Sequence, residues 1–142
     1  WFQDLNPVLE WRTRVSFLKE VPAGTGLSYG HDYHTPAAAR IATLPVGYGD
    51  GLPRRASACG AEVLVGGVRC PLVGRVTMDQ CLADVTAVGD RVSLGDDVVL
   101  LGRQGDDEIR AEELASHLGT IGYEVVTAIS ARVPREVSGS VF

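Results

Sequence analysis

The chain has 142 residues, 45% of them apolar and 22% charged, so it can bury a core and is neither a fibre nor a disordered tail. Its formal charge of −5 argues against nucleic acid as a partner, and no apolar run approaches the roughly 20 residues of a membrane helix, so no membrane partner is expected. Cys59, Cys70 and Cys81 are widely spaced and form no Cys-x-x-Cys, which suggests neither a disulfide framework nor a zinc ribbon and fits a reducing cytoplasm.

The chain begins at Trp1 and its only methionine is Met78, as expected of a processed product or an excised domain. Trp1 to Pro7 lacks the zones of a signal peptide, so no export is expected. From Val8 to Phe17 the odd positions Trp11, Thr13, Val15 and Phe17 alternate with polar residues, the two-residue period of a half-buried strand. Pro22-Ala23-Gly24 supplies a turn, and a short strand through Leu27 and Tyr29 precedes a loop from His31 to Pro36. Further strands are predicted at Ala38 to Leu44, Ala61 to Val65, Val68 to Val73, Gln80 to Thr86 and Asp97 to Leu101, with Gly66-Gly67 closing a tight hairpin and Gly95-Asp96 a similar turn. Ala111 to Leu118 has helical spacing with Gly119 as its stop, and Asp107 is a candidate cap because Arg110 is a poor one. Tyr123 to Ile129 reads as a second helical turn or a strand, the helix being preferred. Seventeen glycines punctuate these short segments, and the pattern predicts one mostly β domain over residues 1–142: a small Gly-rich barrel, closed or nearly closed, with one or two short helices.

Four stretches concentrate Gly, Tyr, Asp and Arg: Leu27 to Gly30, Pro45 to Arg55, Gly74 to Gln80 and Gly119 to Thr127. Tyr29 reads either as an amphipathic strand residue or as an acid–base group, and a phenol serves as a base only where cations or donors stabilise its anion. Gly47-Tyr48-Gly49-Asp50-Gly51 has the glycines of a phosphate cradle, but no helix follows it as a dinucleotide fingerprint requires, so a tight inter-strand loop is the better reading. Arg75 and Asp79 read as a surface ion pair. His31-Asp32-Tyr33-His34 has too few partners in register for zinc, and Asp96-Asp97 and Asp106-Asp107-Glu108 read as solvated turns, so no metal is expected.

Taken in order, Val21-Pro22-Ala23-Gly24, Ser28-Tyr29-Gly30, Ile41-Ala42, Gly47-Tyr48-Gly49-Asp50-Gly51 with Arg54-Arg55, Gly74-Arg75-Val76, Met78-Asp79-Gln80, Gly95-Asp96-Asp97-Val98, Thr120-Ile121-Gly122-Tyr123-Glu124 and Arg132-Val133-Pro134-Arg135 resemble the C-terminal domain of alanine racemase. The series spans nearly the whole chain; Arg110 stands where the family more often has a capping Thr. The resemblance implies part of a pyridoxal 5′-phosphate enzyme that interconverts L- and D-alanine and supplies D-alanine for peptidoglycan. It implies that the cofactor is held by a lysine of an N-terminal (β/α)₈ barrel, which this chain does not contain, and that a head-to-tail homodimer brings Tyr29 into the partner subunit's site as the acid–base group. Met78 then matches the residue whose backbone N–H meets the substrate carboxylate, with Asp79 beside it. Tyr123 matches the tyrosine that binds the cofactor phosphate, and Arg54, Arg75 and Ile121 match entrance positions, with Tyr48 near them. The only lysine, Lys19, lies in no family lysine motif, so the isolated chain is expected to be inactive. Two other readings are a non-catalytic β-barrel interaction module and a domain of a related amino-acid decarboxylase.

Overall fold

A computed structural model describes residues 6–139, so most of the Trp1 to Pro7 segment lies outside the described residues. Among these residues ten strands and two α-helices follow one another: β1 (Trp11–Arg14), β2 (Phe17–Val21), β3 (Gly26–Leu27), β4 (Tyr33–His34), β5 (Ala39–Leu44), β6 (Glu62–Val65), β7 (Val68–Val73), β8 (Cys81–Asp84), β9 (Asp97–Gln104), β10 (Asp107–Ile109), α1 (Ala111–Leu118) and α2 (Gly122–Ala128). The main sheet is antiparallel in the order β1-β9-β6-β7-β8-β5-β2, with β10 added to β9, and β3 and β4 form a separate ribbon. None of the helices is long and apolar enough to cross a membrane among the described residues.

The fold is mostly β with short helices, but the ladder is not a closed ring: its ends, β1 and β2, pair with β9 and β5 and not with each other. They are successive pieces of chain. At Val15-Ser16 the backbone changes partner, Val15 N–H donating to the Asp96 carbonyl at 2.9 Å and Ser16 N–H to that of Thr43 at 2.9 Å. This switch corrects the expectation of one strand from Val8 to Phe17. Trp11 and Val15 are buried as the alternation requires, whereas Phe17 is 56% exposed, because the new partner resets the pleat and Leu18 packs toward the core instead.

The β6–β7 hairpin turns on Gly66 at φ 59° and Gly67 at φ 76°, the two positive values a two-residue hairpin of this kind requires. Its strands carry Val63, Leu64 and Val65 into a core shared with Leu44, Leu52, Val98 and Val99, and α1 covers one side through Leu114, Ala115 and Leu118. Strand β10 escapes a reading from hydrophobic pattern because two of its three residues are acidic. Arg69 on β7 explains it: its guanidinium pairs with Asp107 at 2.8 Å, Glu62 at 3.1 Å and also Glu113, tying β6, β7, β10 and α1 together. Asp107 is therefore engaged by Arg69 and does not cap α1; the position before that helix is Arg110, which makes no side-chain capping bond, and Glu112 and Glu113 place negative charge in the first turn instead. A second, smaller apolar cluster of Val21, Leu27, Ala39, Ile41 and Val73 supports the β3–β4 ribbon, from which Tyr29 projects.

Candidate functional site

Tyr29 stands in a short 3-10 turn directly after β3 and is 75% exposed. Leu27, buried in the smaller cluster, anchors one side of this turn, and the Ser28 hydroxyl anchors it again by donating to the Arg75 carbonyl at 2.7 Å. Three segments then meet beside it.

The Gly47–Gly51 loop is zipped onto the segment carrying Met78: Tyr48 N–H donates to the Thr77 carbonyl at 3.0 Å and Gly49 N–H to the Met78 carbonyl at 2.9 Å. Gly47 N–H donates to the Asp50 carboxylate at 2.8 Å, while those of Asp50 and Gly51 donate to carbonyls within the loop. Every N–H of this loop is thus engaged, which leaves none to cradle a phosphate and makes it the tight loop favoured from sequence. Glycine is required at 47 because a Cβ there would run into the Thr77 and Met78 carbonyls.

The third segment follows α2. Arg132 reaches back to pair with Asp50 at 2.8 Å and with Asp79, while Ser130 donates from its N–H to the Asp50 carbonyl and from its hydroxyl to the Gly49 carbonyl, each at 2.9 Å. Asp79, then Asp50, stabilise the charged form of the Arg132 guanidinium and raise its pKa. The expected Arg75–Asp79 pair is not made: Arg75 pairs with Asp32 across the Tyr29 turn, and Asp79 takes Arg132. Both choices depend on loop placement, which local spacing does not encode.

These contacts gather Tyr29, Tyr48, Arg54, Arg75, Met78 and Asp79 around one open cleft of about 490 Å³. The Met78 N–H donates to no protein acceptor among the described residues, although the Met78 carbonyl is engaged by Gly49. Ile121 and Tyr123 do not line this cleft; they sit exposed at the start of α2. Lys19 lies exposed in β2 opposite Ile41, also away from it. Of the residues that matter here, sequence reasoning singled out no role for Ser28, Asp32 or Arg132. The signal for Arg132 was its presence in a quoted motif, together with two carboxylates, Asp50 and Asp79, that needed a cation. Asp32, the second residue of the His31–His34 run, is taken by Arg75, and no group of three or more His, Cys, Asp or Glu side chains converges among the described residues. Cys70 and Cys81 are buried, and burial, ahead of nearby carboxylates, pushes both thiols up to about 12, so neither is a nucleophile near neutral pH.

Residues 8–137 match the family described as "Alanine racemase, C-terminal domain". The chain belongs to this family. Among curated alanine racemases it is 54% identical to that of Halothermothrix orenii over 97% of this chain and 36% of the relative, and 52% identical to that of Symbiobacterium thermophilum over 98% and 36%. Among solved structures, the alanine racemase of Bacillus anthracis, crystallised with bound L-Ala-P, superposes with a TM-score of 0.84 at 48% identity, covering 91% of this chain and 32% of that one. The enzyme from Oenococcus oeni superposes at 0.88 with 33% identity, over 96% and 36%. This alanine racemase domain therefore spans about a third of the length of the curated relatives it matches.

Proposed function

We propose that this chain works as the C-terminal domain of a cytoplasmic alanine racemase that interconverts L- and D-alanine and so supplies D-alanine for peptidoglycan. In this reading Tyr29 enters the active site of the partner subunit in a head-to-tail homodimer, and an N-terminal (β/α)₈ barrel completes each subunit. The observation that carries it is the cleft itself, whose lining brings together an exposed Tyr29 and Met78, far apart in sequence, the Met78 N–H having no acceptor among the described residues.

Racemisation removes an α-proton from one face of the substrate and returns one to the other, so two acid–base groups must flank the α-carbon. Tyr29 supplies one, taking or returning the proton at its phenolic oxygen. Lys19, the chain's only lysine, does not line the cleft, which supports a second group and a cofactor anchor from another domain. Met78 N–H donates to the substrate carboxylate, and Asp79, its charge offset by Arg132, stands beside it without repelling that carboxylate. Tyr48, Arg54 and Arg75 line the entrance, where the arginines meet the carboxylate end of the substrate. Tyr123 belongs to a second group that serves the chain's own subunit, and Ile121, matched to the entrance, lies beside it at the start of α2. The Tyr123 side chain, 74% exposed, is free to donate to a phosphate oxygen. Pyridoxal 5′-phosphate, bound through the barrel lysine, supplies the electron sink that makes the α-proton labile. Separation of the functional residues into two groups is what a two-fold dimer that shares each domain between two sites requires.

Neither the interaction-module reading nor the decarboxylase reading is favoured by the family match. The test is racemase and decarboxylase assays on the full-length protein, together with α-proton exchange in deuterated water. Tyr29→Phe should slow exchange into L-alanine by about 10²- to 10⁴-fold, the usual worth of a positioned acid–base group, while exchange into D-alanine persists. Unchanged turnover in both directions would refute the assignment.

A further inference from the structure

Ser28 adopts φ 62° and ψ −175°, a region that is essentially reserved for glycine. The only non-glycine residues with positive φ among the described residues are Ser28 and His31, and they flank Tyr29 within one turn. The surroundings are cleared to hold them there. A Cβ on Gly74 would lie 2.8 Å from the Ser28 Cβ, and one on Gly26 would lie 2.8 Å from the His31 Cβ. A glycine at position 28 would satisfy the backbone without strain, so a serine is explained by what its side chain does. Its hydroxyl binds the Arg75 carbonyl, in the same segment that carries Met78.

We infer that Ser28 is a positioning residue for Tyr29: its strained backbone and its hydroxyl tether to Arg75 together fix where the phenol stands relative to the Met78 N–H. The inference rests on the racemase reading and deepens it. Substrate held by its carboxylate at Met78 presents its α-proton at a set distance from that point, so the phenol must be fixed to the same segment. The tether ties the Tyr29 turn to that segment across 47 positions of chain. The Arg75–Asp32 pair reinforces it from the other side, with the guanidinium carbon 3.5 Å from where a Gly30 Cβ would be.

The test uses the full-length racemase carrying this domain, with Ser28→Gly and Ser28→Ala compared for kcat, KM, melting temperature and one-sided α-proton exchange. Ser28→Gly relieves the strain and cuts the tether, so it should melt no lower than the parent yet lose kcat by roughly 10- to 100-fold, the scale of an ångström-level misplacement, with little change in KM. Ser28→Ala cuts the tether but keeps the strain, so it should lose kcat and also melt lower. In both, exchange into L-alanine should fall more than exchange into D-alanine, a weaker form of the Tyr29→Phe pattern. A Ser28→Gly enzyme with parental kcat, or one whose losses are equal on both faces, would overturn the inference. If the parent enzyme lacks racemase activity, the functional reading fails instead, and the two failures are distinct.

Discussion

Replacing Gly47 by alanine isolates the contact that joins two of the loops beneath the cleft. Gly47 is not among the positive-φ glycines, so alanine brings no backbone strain there. What it brings is a methyl group directed at the Thr77 and Met78 carbonyls, which are backbone and cannot swing aside. The loops must separate, and the bonds from Tyr48 N–H at 3.0 Å and Gly49 N–H at 2.9 Å lengthen with them. Overpacking of this kind costs about 1–3 kcal/mol and each weakened bond about 0.5–1.5 kcal/mol, so the loss should reach about 2–6 kcal/mol. Gly95→Ala is the matched control: its φ is 86° and nothing lies within 4 Å of the added methyl, leaving only the backbone penalty of about 1–2 kcal/mol. Urea unfolding of the two variants gives the comparison directly. A Gly47→Ala loss no larger than that of Gly95→Ala would refute the steric argument.

Two other outcomes follow from the charge arrangement. Arg69 beside Asp107 holds that carboxyl below the usual carboxylate range, so its contribution to folding is complete above about pH 4 and fades as pH falls through the lower folded-state value. Asp107→Asn should therefore flatten the acid limb of the stability profile, and identical acid limbs would count against the pairing. Borohydride reduction of the isolated chain with pyridoxal 5′-phosphate, followed by mass spectrometry, should yield no stoichiometric adduct; reduction at Lys19 would contradict the assignment of the anchor to another domain.

What the sequence made legible was whatever depends on neighbours along the chain. Gly66-Gly67 names its own hairpin, and Ala111 to Leu118 names its helix with Gly119 at φ 68° as the stop. The residues around the cleft were reached through the ordered motifs, because no periodicity relates Tyr29 to Met78. Phe17 was misplaced since alternation assumes one partner along a strand, and the change from β9 to β5 at Val15-Ser16 is a tertiary event. Proximity in sequence pairs Arg75 with Asp79, whereas Asp32 and Arg132 reach them from distant loops. Strand β10 was hidden for a similar reason: its acidic residues extend as a strand because Arg69 sits across from them.

The switch at Val15-Ser16 also orders events in time. Because β1 is partnered, among the described residues, only by β9, a chain emerging from the ribosome holds Trp11 and Val15 without their final neighbours until residues 97–101 have been made. Strands β5 to β8 pair among themselves earlier, through contacts closer in sequence, but the loop closed by β1 and β9 is long and its entropy must be met before its contacts form. Pairing of the first strand is thus a late, non-local step that links the two ends of the sheet through a single length of backbone.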